Sequence, residues 1–174
     1  MGRFESERQL LAEALRTHVV RIEHVGSTSV PGLAAKPIVD IAITLRTLAV
    51  IPDVRIRLAA FDYRYRGEEG IPGRHYFNKP IEPPGRAHRQ VQLHVTQAGS
   101  AEFQKHVLFR DYLRAHPSAQ DEYAALKRRL AEEAGDDIEV YIAGKTGFVT
   151  RCLEAAEPEQ FPAPRYAHAY APPQ

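Results

Sequence analysis

A glycine-serine pair and a downstream aspartate are the residues whose types and spacing best suit catalytic chemistry in this chain. Gly26 and Ser27 follow a run of β-forming residues, and Asp40 lies in the next apolar run. A glycine lets backbone N–H groups approach a phosphate closely, and a following serine adds a hydroxyl donor. A carboxylate on the neighbouring strand can hold Mg²⁺ against the same phosphates. Because a Gly-Ser pair alone is more often a structural turn, the prediction depends on Asp40.

Asp40 interrupts an apolar segment, residues 38–45, that we predict to be a strand covered on both faces. An ionised carboxylate in such a strand carries a large free-energy penalty unless a cation, hydrogen-bond donors or water compensate it. We therefore predict a metal-binding or phosphate-binding role for Asp40. The alternative is an aspartate at the open end of the strand, capped by backbone N–H groups.

Two polar residues on a later strand are further candidates. Residues 90–97 alternate strictly between apolar and polar types, and Gln92 and His94 lie on the polar side. If that side lines the same cleft as Asp40, His94 could bind a metal, contact phosphate or act as an acid or base near neutral pH. Solvent exposure is the equally good alternative. His24 suits a hydrogen-bonded core position as well as a functional one.

Basic residues in or beside the loops after strands could neutralise phosphate charge through charge-assisted contacts. Ordinary solvated cations are the common alternative at such positions. Lys145 borders an apolar helical stripe, where a lysine that extends its ammonium group to solvent is the alternative. The candidates of this class in the loops are Lys36, Arg74, Lys79, Arg86 and Arg89.

The spacing of apolar residues and of turn residues predicts the elements that must position these side chains. Pro52 and Pro117 suit the first turns of helices, and Ser100 is a good N-cap. Two glycines, Gly144 and Gly147, fall inside the last helix, where each costs about 1 kcal/mol relative to alanine. The last helix therefore either breaks there or packs closely against something. We predict helices at 5–17, 52–60, 100–115, from 117 onward and at 138–155, and strands at 19–25, 38–45, 63–66, 74–79 and 90–97.

Length and composition predict one domain at residues 1–156 followed by a proline-rich tail at 157–174. The formal net charge of +1 disfavours a nucleic-acid partner. The single cysteine, Cys152, excludes an intrachain disulfide and a thiolate metal cage, so we predict a reducing, cytoplasmic location. No apolar run is long enough to span a membrane, and no feature of the sequence predicts the oligomeric state.

The run IEHVGSTSVPGLAAKPIVDIAI at residues 22–43 closely resembles the signature of the GrpB family. The similarity continues through RHYFNK, QLHV, AGSAEFQKHVLFRDYLRAHP, YAALKRRL and YIAGKTGFV, and so covers most of the chain except its two ends. This resemblance implies a nucleotidyltransferase-like α/β fold, a mixed β-sheet flanked by helices, with additional C-terminal helices. It also implies a Gly-Ser turn near the first strand and a metal-binding acidic residue on the next.

The sequence departs from the pattern of active nucleotidyltransferases, which generally have two acidic residues separated by one position and a third on a later strand. Asp40 fills the first position, but Ala42 stands at the second, and the later strand has Gln92 and His94. A single aspartate remains compatible with Mg²⁺, which commonly takes one or two protein carboxylates beside phosphate and water oxygens.

The resulting prediction is a metal-dependent nucleotidyltransferase that acts on a small-molecule acceptor. Its cofactor would be Mg²⁺ or Mn²⁺, bound by Asp40 and His94, which would also be the catalytic pair. The alternative is a non-catalytic nucleotide-binding or metabolite-binding protein on the same scaffold, and the missing carboxylates favour it. The predicted nucleotide and phosphate contacts are Gly26, Ser27, Thr28, Lys36, Arg74, Arg89 and Lys145.

Overall fold

The structure is a computed structural model of the chain, and it describes residues 2–80, 89–135 and 137–156. Of the side chains in these ranges, those of Pro80, Arg89, Gln90 and Ile138 are not described. The predicted tail at 157–174 lies outside the described residues, as do residues 81–88, which belong to a stretch whose three prolines predict a loop.

The described residues form five strands and five α-helices, and every predicted element is present, with its ends shifted by at most two residues. A short 3-10 helix at Ser27–Ser29, which the sequence analysis did not predict, follows the first strand, and another lies at Leu48–Val50. The elements in chain order are α1 (Arg3–Leu15), β1 (Val19–Val25), β2 (Val39–Leu45), α2 (Ile51–Ala59), β3 (Arg64–Tyr65), β4 (His75–Pro80), β5 (Arg89–Gln97), α3 (Ala101–Ala115), α4 (Pro117–Ala134) and α5 (Ile138–Ala156).

The chain forms two compact units. Of the described residues, the first contains 2–29, 35–80 and 89–107 and holds the whole sheet with α1 and α2. The second contains 30–34, 108–135 and 137–156, including α4 and α5. Helix α3 begins in the first unit and ends in the second. None of the helices in the described ranges is both long enough and apolar enough to cross a bilayer.

The sheet has the strand order β1-β2-β5-β4-β3, and β2 and β5 are its only parallel neighbours. It is therefore mixed, which confirms the predicted α/β class with helices beside the sheet and at the C-terminal end. The register places Val25 opposite Asp40 and Asp40 beside Gln92. Two residues further along the same two strands, Ala42 lies beside His94. The candidate residues of β2 and β5 thus share one face of the sheet, because side chains alternate along a strand.

We call the opposite face of the sheet the first face and the face with Asp40 and His94 the second face. The first face carries the main apolar core. Alternate residues of β2 and β5 pack there against α1 and α2, as the sequence pattern predicted. The strand residues of this core are Val39, Ile41, Ile43, Leu45, Val91, Leu93 and Val95. Two long polar side chains also meet on this face, since Glu7 of α1 binds Lys79 of β4.

The second face carries Asp40 and His94 and is largely covered. Val25 and Ala42 pack there against Phe103 of α3. The polar side of β5 is covered rather than solvent-exposed, because His94 is 8% exposed and Thr96 2%. In β2, Asp40 is the only residue that is not buried. This face therefore combines a small apolar patch with polar side chains that have little access to water.

The second unit has its own apolar core, formed by α4, α5, the end of α3 and residues 30–34. Its buried side chains are Val30, Leu33, Leu113, Tyr123, Phe148 and Cys152. Helix α5 is continuous through both internal glycines. A Cβ atom built on Gly144 would lie 3.0 Å from Leu130 Cδ1, whereas one built on Gly147 would meet nothing within 4 Å. Close packing on Leu130 therefore explains Gly144.

Candidate functional site

The site begins at the tight turn that ends β1. Gly26 has a φ of 68°, a left-handed conformation that glycine adopts readily and other residues rarely do. Ser29 stabilises the turn, because its backbone N–H and its hydroxyl both donate to the Gly26 carbonyl, at 3.2 and 2.6 Å. Ser27 begins the short 3-10 helix and is partly exposed. The backbone of this turn is therefore held in one conformation.

Asp40 lies directly against this turn. A Cβ atom built on Gly26 would lie 2.8 Å from Asp40 Cγ and 2.9 Å from Asp40 Cβ, so no other residue fits at position 26 without displacing the carboxylate. The contact follows from the antiparallel pairing of β1 and β2, which sets Val25 opposite Asp40. The glycine-serine turn and the carboxylate that the sequence singled out are thus neighbours in space.

Asp40 is less buried than the sequence predicted, which reduces the free-energy penalty for its negative charge. The residue is the second of β2 and pairs with β1 on one side and β5 on the other. It is partly exposed, so some water reaches the carboxylate and the penalty for its charge is smaller than for a fully covered position. The position suits a group that a ligand can reach.

Thr28, a predicted phosphate contact, has its hydroxyl engaged within the first unit. Thr28 Oγ1 donates to the Ile38 carbonyl at 3.0 Å and lies 3.0 Å from His24 Nε2. Since the hydroxyl proton goes to Ile38, His24 Nε2 must carry the proton that it donates to Thr28. His24 also stacks on Phe4, with ring centroids 4.5 Å apart. These contacts fit the hydrogen-bonded core role for His24 and tie the turn to the start of β2.

His94 is packed among aromatic rings on the second face. Its ring centroid lies 5.4 Å from that of Tyr76 and 4.6 Å from that of His106. Burial lowers the pKa of His94 well below its ordinary value, and the neighbouring His106 and Arg74 lower it further. His94 is therefore neutral near pH 7. Its Nδ1 atom is buried and has no hydrogen-bond partner in the described part of the chain.

Arg74 joins the same group of residues. Its guanidinium lies 5.5 Å from the centre of the Tyr76 ring, and Nη2 donates to the carbonyls of Glu68 and Glu69 at 2.9 and 3.1 Å. Within the described ranges, its buried Nε finds no hydrogen-bond partner. The structure thus brings Arg74 together with His94 at the start of β4.

Two residues of α3 complete this group, and the sequence analysis missed both. Burial lowers the pKa of His106, although the nearby Glu102 partly offsets that effect. Burial raises the pKa of Glu102, but the charges of His106, Lys105 and Arg74 outweigh it, so the net pKa is lowered. A sequence signal was present, because Glu102 and His106 are four residues apart and share a helix face. We call Arg74, Tyr76, His94, Glu102 and His106 the histidine cluster.

The remaining predicted contacts are more scattered. Lys36 is exposed after the turn, and Arg86 and the side chain of Arg89 lie outside the described residues. Lys145 belongs to the second unit, where its Nζ lies 4.4 Å from the centre of the Tyr141 ring. Lys79 is on the first face, 2.9 Å from Glu7 Oε1. Their proposed phosphate contacts stay predictions, and Lys79 has a structural partner instead.

The donor set gives a partial fit to the implied metal ion. The described ranges contain no group of three His, Cys, Asp or Glu side chains placed to hold a metal. Asp40 offers one carboxylate beside the turn, which suits a Mg²⁺ ion that takes its other oxygens from a bound nucleotide and from water. His94 suits Mg²⁺ poorly, because that ion prefers oxygen ligands and the imidazole is buried among rings.

Comparison with known proteins gives a consistent family match. The family model described as "GrpB protein" matches residues 1–155. The UPF0157 protein YqkA of Bacillus subtilis is 38% identical over 154 residues, which cover 88% of this chain and 43% of YqkA. The crystal structure of the conserved protein GrpB from Enterococcus faecalis aligns with a TM-score of 0.78 at 34% identity, covering 88% of this chain and 90% of that one.

A more distant relative carries an enzyme name. A dephospho-CoA kinase of Mycolicibacterium paratuberculosis is 28% identical over 171 residues, which cover 80% of this chain and 40% of the kinase. This chain thus spans less than half the length of both YqkA and that kinase.

Proposed function

The chain belongs to the GrpB family, and on that premise we propose that it is a metal-dependent nucleotidyltransferase acting on a small-molecule acceptor. The observation that carries this proposal is the contact between Asp40 and the Gly26 turn, where a side chain at position 26 would strike the carboxylate. A positive-φ glycine followed by a serine, with an acid directly beside it, combines phosphate donors and an ion ligand in one place.

In this proposal the turn binds the phosphates of a nucleoside triphosphate. The backbone N–H groups near Gly26 and the hydroxyl of Ser27, a partly exposed residue, would donate to phosphate oxygens. Thr28 contributes through its backbone and through the rigidity of the turn, because its hydroxyl already contacts Ile38 and His24. The Ser29 hydroxyl donates to the Gly26 carbonyl and so holds that carbonyl in place. A turn held in this way loses little conformational entropy when phosphate binds.

Asp40 is the residue that would hold Mg²⁺ or Mn²⁺ with the nucleotide. When bound, such an ion neutralises charge on the phosphate oxygens and orients them. In the transfer the hydroxyl oxygen of the acceptor would attack the α-phosphorus, the bond from the α-phosphorus to the α,β-bridging oxygen would break, pyrophosphate would leave with that oxygen, and the hydroxyl proton would pass to water. Lys36 follows the Gly26 turn in sequence, and Arg89 lies at the start of β5. Both would neutralise the remaining negative charge of the phosphates. His94 is a neutral base on the same face, and it would orient the acceptor through a hydrogen bond.

The test is transfer of a labelled nucleotide. The full-length protein is incubated with α-labelled ATP or CTP, Mg²⁺ or Mn²⁺ and a pool of small metabolites, and the label and pyrophosphate are followed. We expect metal-dependent transfer that Asp40→Asn abolishes while the circular dichroism spectrum stays unchanged. If no nucleotide yields an adduct, and Asp40→Asn changes nothing, the proposed transfer is excluded.

A second candidate is a protein that binds a nucleotide or small metabolite without turnover. Ala42 and His94 stand where active nucleotidyltransferases generally carry further carboxylates, and this favours the second candidate. The relative named a dephospho-CoA kinase supports a nucleotide-related role without distinguishing the two. Thermal-shift screening coupled to turnover separates them: saturable binding with no pyrophosphate release supports the binding protein, and metal-dependent release excludes it.

The cytoplasmic location and the preference for a small acceptor over a nucleic acid also belong to this proposal. Both follow from the single cysteine and the near-neutral charge. Because the chain spans 43% of YqkA, the activities and partners of such longer relatives extend to it only as proposals.

A further inference from the structure

The histidine cluster contains three buried nitrogen atoms that have no hydrogen-bond partner among the described residues. They are His94 Nδ1, His106 Nε2 and Arg74 Nε. Buried polar atoms in folded proteins nearly always have a partner, and exceptions that lie together mark sites where a water molecule or a ligand completes the hydrogen bonds. His94 is only 8% exposed, so bulk solvent does not serve its ring. The three nitrogen atoms therefore point to a site for a small polar group.

Ring contacts and strand pairing hold these residues in one place. Strands β4 and β5 pair Tyr76 with His94, so both side chains lie on the second face. The His94 ring centroid is 5.4 Å from that of Tyr76 and 4.6 Å from that of His106. The guanidinium carbon of Arg74 lies 5.5 Å from the centre of the Tyr76 ring. All of these residues belong to the first unit, as does Asp40.

The loop before β4 fixes the orientation of the Arg74 guanidinium. Its Nη2 donates to the carbonyls of Glu68 and Glu69, at 2.9 and 3.1 Å. The loop is itself held, because Glu68 Oε1 accepts from the Gly73 N–H at 2.7 Å and the Arg74 N–H donates to the Ile71 carbonyl at 3.1 Å. A guanidinium is planar, so fixing Nη2 also fixes the direction in which Nε donates.

The charges of the cluster favour a monoanion. Glu102 is its carboxylate, and Lys105 Nζ contacts that carboxylate at 2.7 Å. The Arg74 guanidinium contacts backbone carbonyls instead. Burial lowers the pKa of both histidines, so they carry no charge near pH 7. A carboxylate group therefore brings one negative charge to one guanidinium, whereas a phosphate group would bring nearly two charges close to Glu102.

The cluster lies a short distance along the sheet from Asp40. The register places Asp40 beside Gln92, and His94 is two residues further along β5. Two residues of a strand span roughly 7 Å. Asp40 and Gln92 are both partly exposed, so solvent reaches the second face at that end. A molecule of a few carbon atoms is long enough to have one end in the cluster and the other beside Asp40.

We propose that the histidine cluster binds a carboxylate group of the acceptor, so that the acceptor is a hydroxy acid. The role of the bound acid as acceptor rests on the proposed function, whereas the binding of its carboxylate does not. Arg74 Nε donates to one carboxylate oxygen, and a neutral imidazole donates to the other through the nitrogen that carries its proton. The hydroxyl group at the opposite end then lies beside Asp40 and the nucleotide. Arg74, predicted from the sequence as a nucleotide contact, is in this proposal an acceptor contact.

The test is the binding of a small hydroxy acid in the absence of nucleotide. The intact chain with isotope-labelled histidine rings is titrated near neutral pH with γ-hydroxybutyrate, and in parallel with its neutral analogue γ-hydroxybutyramide, while NMR follows each ring. We expect the acid to shift the His94 and His106 signals saturably, with an affinity at least about tenfold higher than that of the amide. The bound carboxylate should also raise the apparent pKa of both rings. His18, which contacts Asp53 at 3.1 Å, should not respond.

Arg74→Lys keeps the positive charge but lacks the planar guanidinium, and it should weaken binding of the acid at least about tenfold. Arg55→Lys is the matched control, because the Arg55 guanidinium also lies over a tyrosine ring, 4.5 Å from the centre of Tyr65. It should leave the binding unchanged. Circular dichroism checks that both variants are folded, and the comparison of acid with amide on the unaltered protein depends on neither variant.

Asp40→Asn should leave the binding of the acid intact, because the carboxylate contacts lie in the cluster. Saturable binding of the acid without any nucleotide transfer would leave the carboxylate site standing and count against the proposed function alone. Ring signals that do not shift at about 50 mM acid, equal affinity for the amide, or tighter binding of inorganic phosphate would overturn the carboxylate site. Undiminished binding to Arg74→Lys would overturn it as well.

Discussion

The two faces of the sheet treat buried polar groups in opposite ways. On the first face Glu7 is 9% exposed, and its carboxylate accepts from the Tyr63 hydroxyl at 2.8 Å and from Lys79 Nζ at 2.9 Å. On the second face the histidine cluster leaves several buried nitrogen atoms without a hydrogen-bond partner among the described residues. These atoms are His94 Nδ1, His106 Nε2 and Arg74 Nε.

This difference distinguishes buried polar groups that stabilise the fold from those that could bind a ligand. A buried carboxylate that only stabilises the fold must have its partners supplied by the chain itself, and Glu7 has two. A ligand site needs donors and charges that the fold leaves partly unmatched, since a ligand or water must complete them. The second face combines such donors with Asp40 beside a rigid turn. We therefore expect the two faces to respond differently to substitution and to pH.

Removal of Glu7 should have the largest effect on stability. Glu7→Ala leaves the Lys79 ammonium and the Tyr63 hydroxyl without their partner in a mostly buried position, and we expect a loss of about 3 kcal/mol in the free energy of unfolding. Glu13→Ala on the exposed side of the same helix is the control and should change stability by less than about 0.5 kcal/mol. Urea denaturation measures both. A loss below about 1 kcal/mol for Glu7→Ala would contradict a structural role for this network.

Gly26→Ala tests the contact on the second face. The substitution imposes a left-handed φ on alanine and drives its Cβ into Asp40, and we expect a loss of about 2 to 3 kcal/mol. Gly99→Ala is the matched control, because Gly99 also has a positive φ, of 83°, but a Cβ there would meet nothing within 4 Å.

The Gly99 variant should therefore report backbone strain alone, about 1 kcal/mol. In the Gly26→Ala background, a second change of Asp40→Ala should recover part of the loss because the clash is relieved. Equal losses for the two glycine variants, or no recovery, would show that Asp40 does not press on the turn in solution.

The histidine cluster should make the protein sensitive to mild acid. The folded-state pKa values of His94 and His106 are lowered mainly by burial, so below about pH 6.5 the unfolded chain binds protons that the folded chain does not. The free energy of unfolding should therefore be maximal above that pH. It should fall toward pH 5.5, with a limiting slope of about 1.4 kcal/mol per pH unit for each histidine.

Chemical denaturation at pH 7.5 and at pH 5.5 measures this dependence, in a window above the ordinary pKa of Glu102 and the other carboxylates. His106→Gln should reduce the slope, because one titrating group is removed, while His94 and His75, whose pKa burial also lowers, keep contributing. A stability that is constant between these pH values would mean that the two histidines are not held neutral by burial.

The spacing of apolar residues and of turn residues was sufficient to predict every strand and α-helix of the described chain, but not the 3-10 helix at Ser27–Ser29. The contact between Gly26 and Asp40 was also anticipated, since a turn and the following strand are close in sequence. Contacts between segments that are distant in sequence were not predicted. Lys79 is one case, because its partner Glu7 lies 72 residues away in sequence and on the face opposite Asp40.

His106 and Glu102 show the same limit in the candidate site. Their spacing marks a shared helix face, but only the packing of α3 on the second face brings them to His94. Thr28 shows a different limit, because no local pattern reveals that its hydroxyl contacts His24 and Ile38. The burial of the polar side of β5 likewise depends on tertiary packing, which the local sequence does not reveal. Periodicity separates the two sides of a strand but does not say what packs on either.

We propose that Asp40 serves a ligand rather than the fold, and calorimetric titration of a non-hydrolysable nucleoside triphosphate with Mn²⁺ is the direct test. We expect Asp40→Asn to weaken metal-dependent nucleotide binding at least about tenfold, which is about 1.4 kcal/mol, while its free energy of unfolding stays within about 1 kcal/mol of the wild type. Equal affinity in the two proteins, or a loss of stability like that expected for Glu7→Ala, would contradict it.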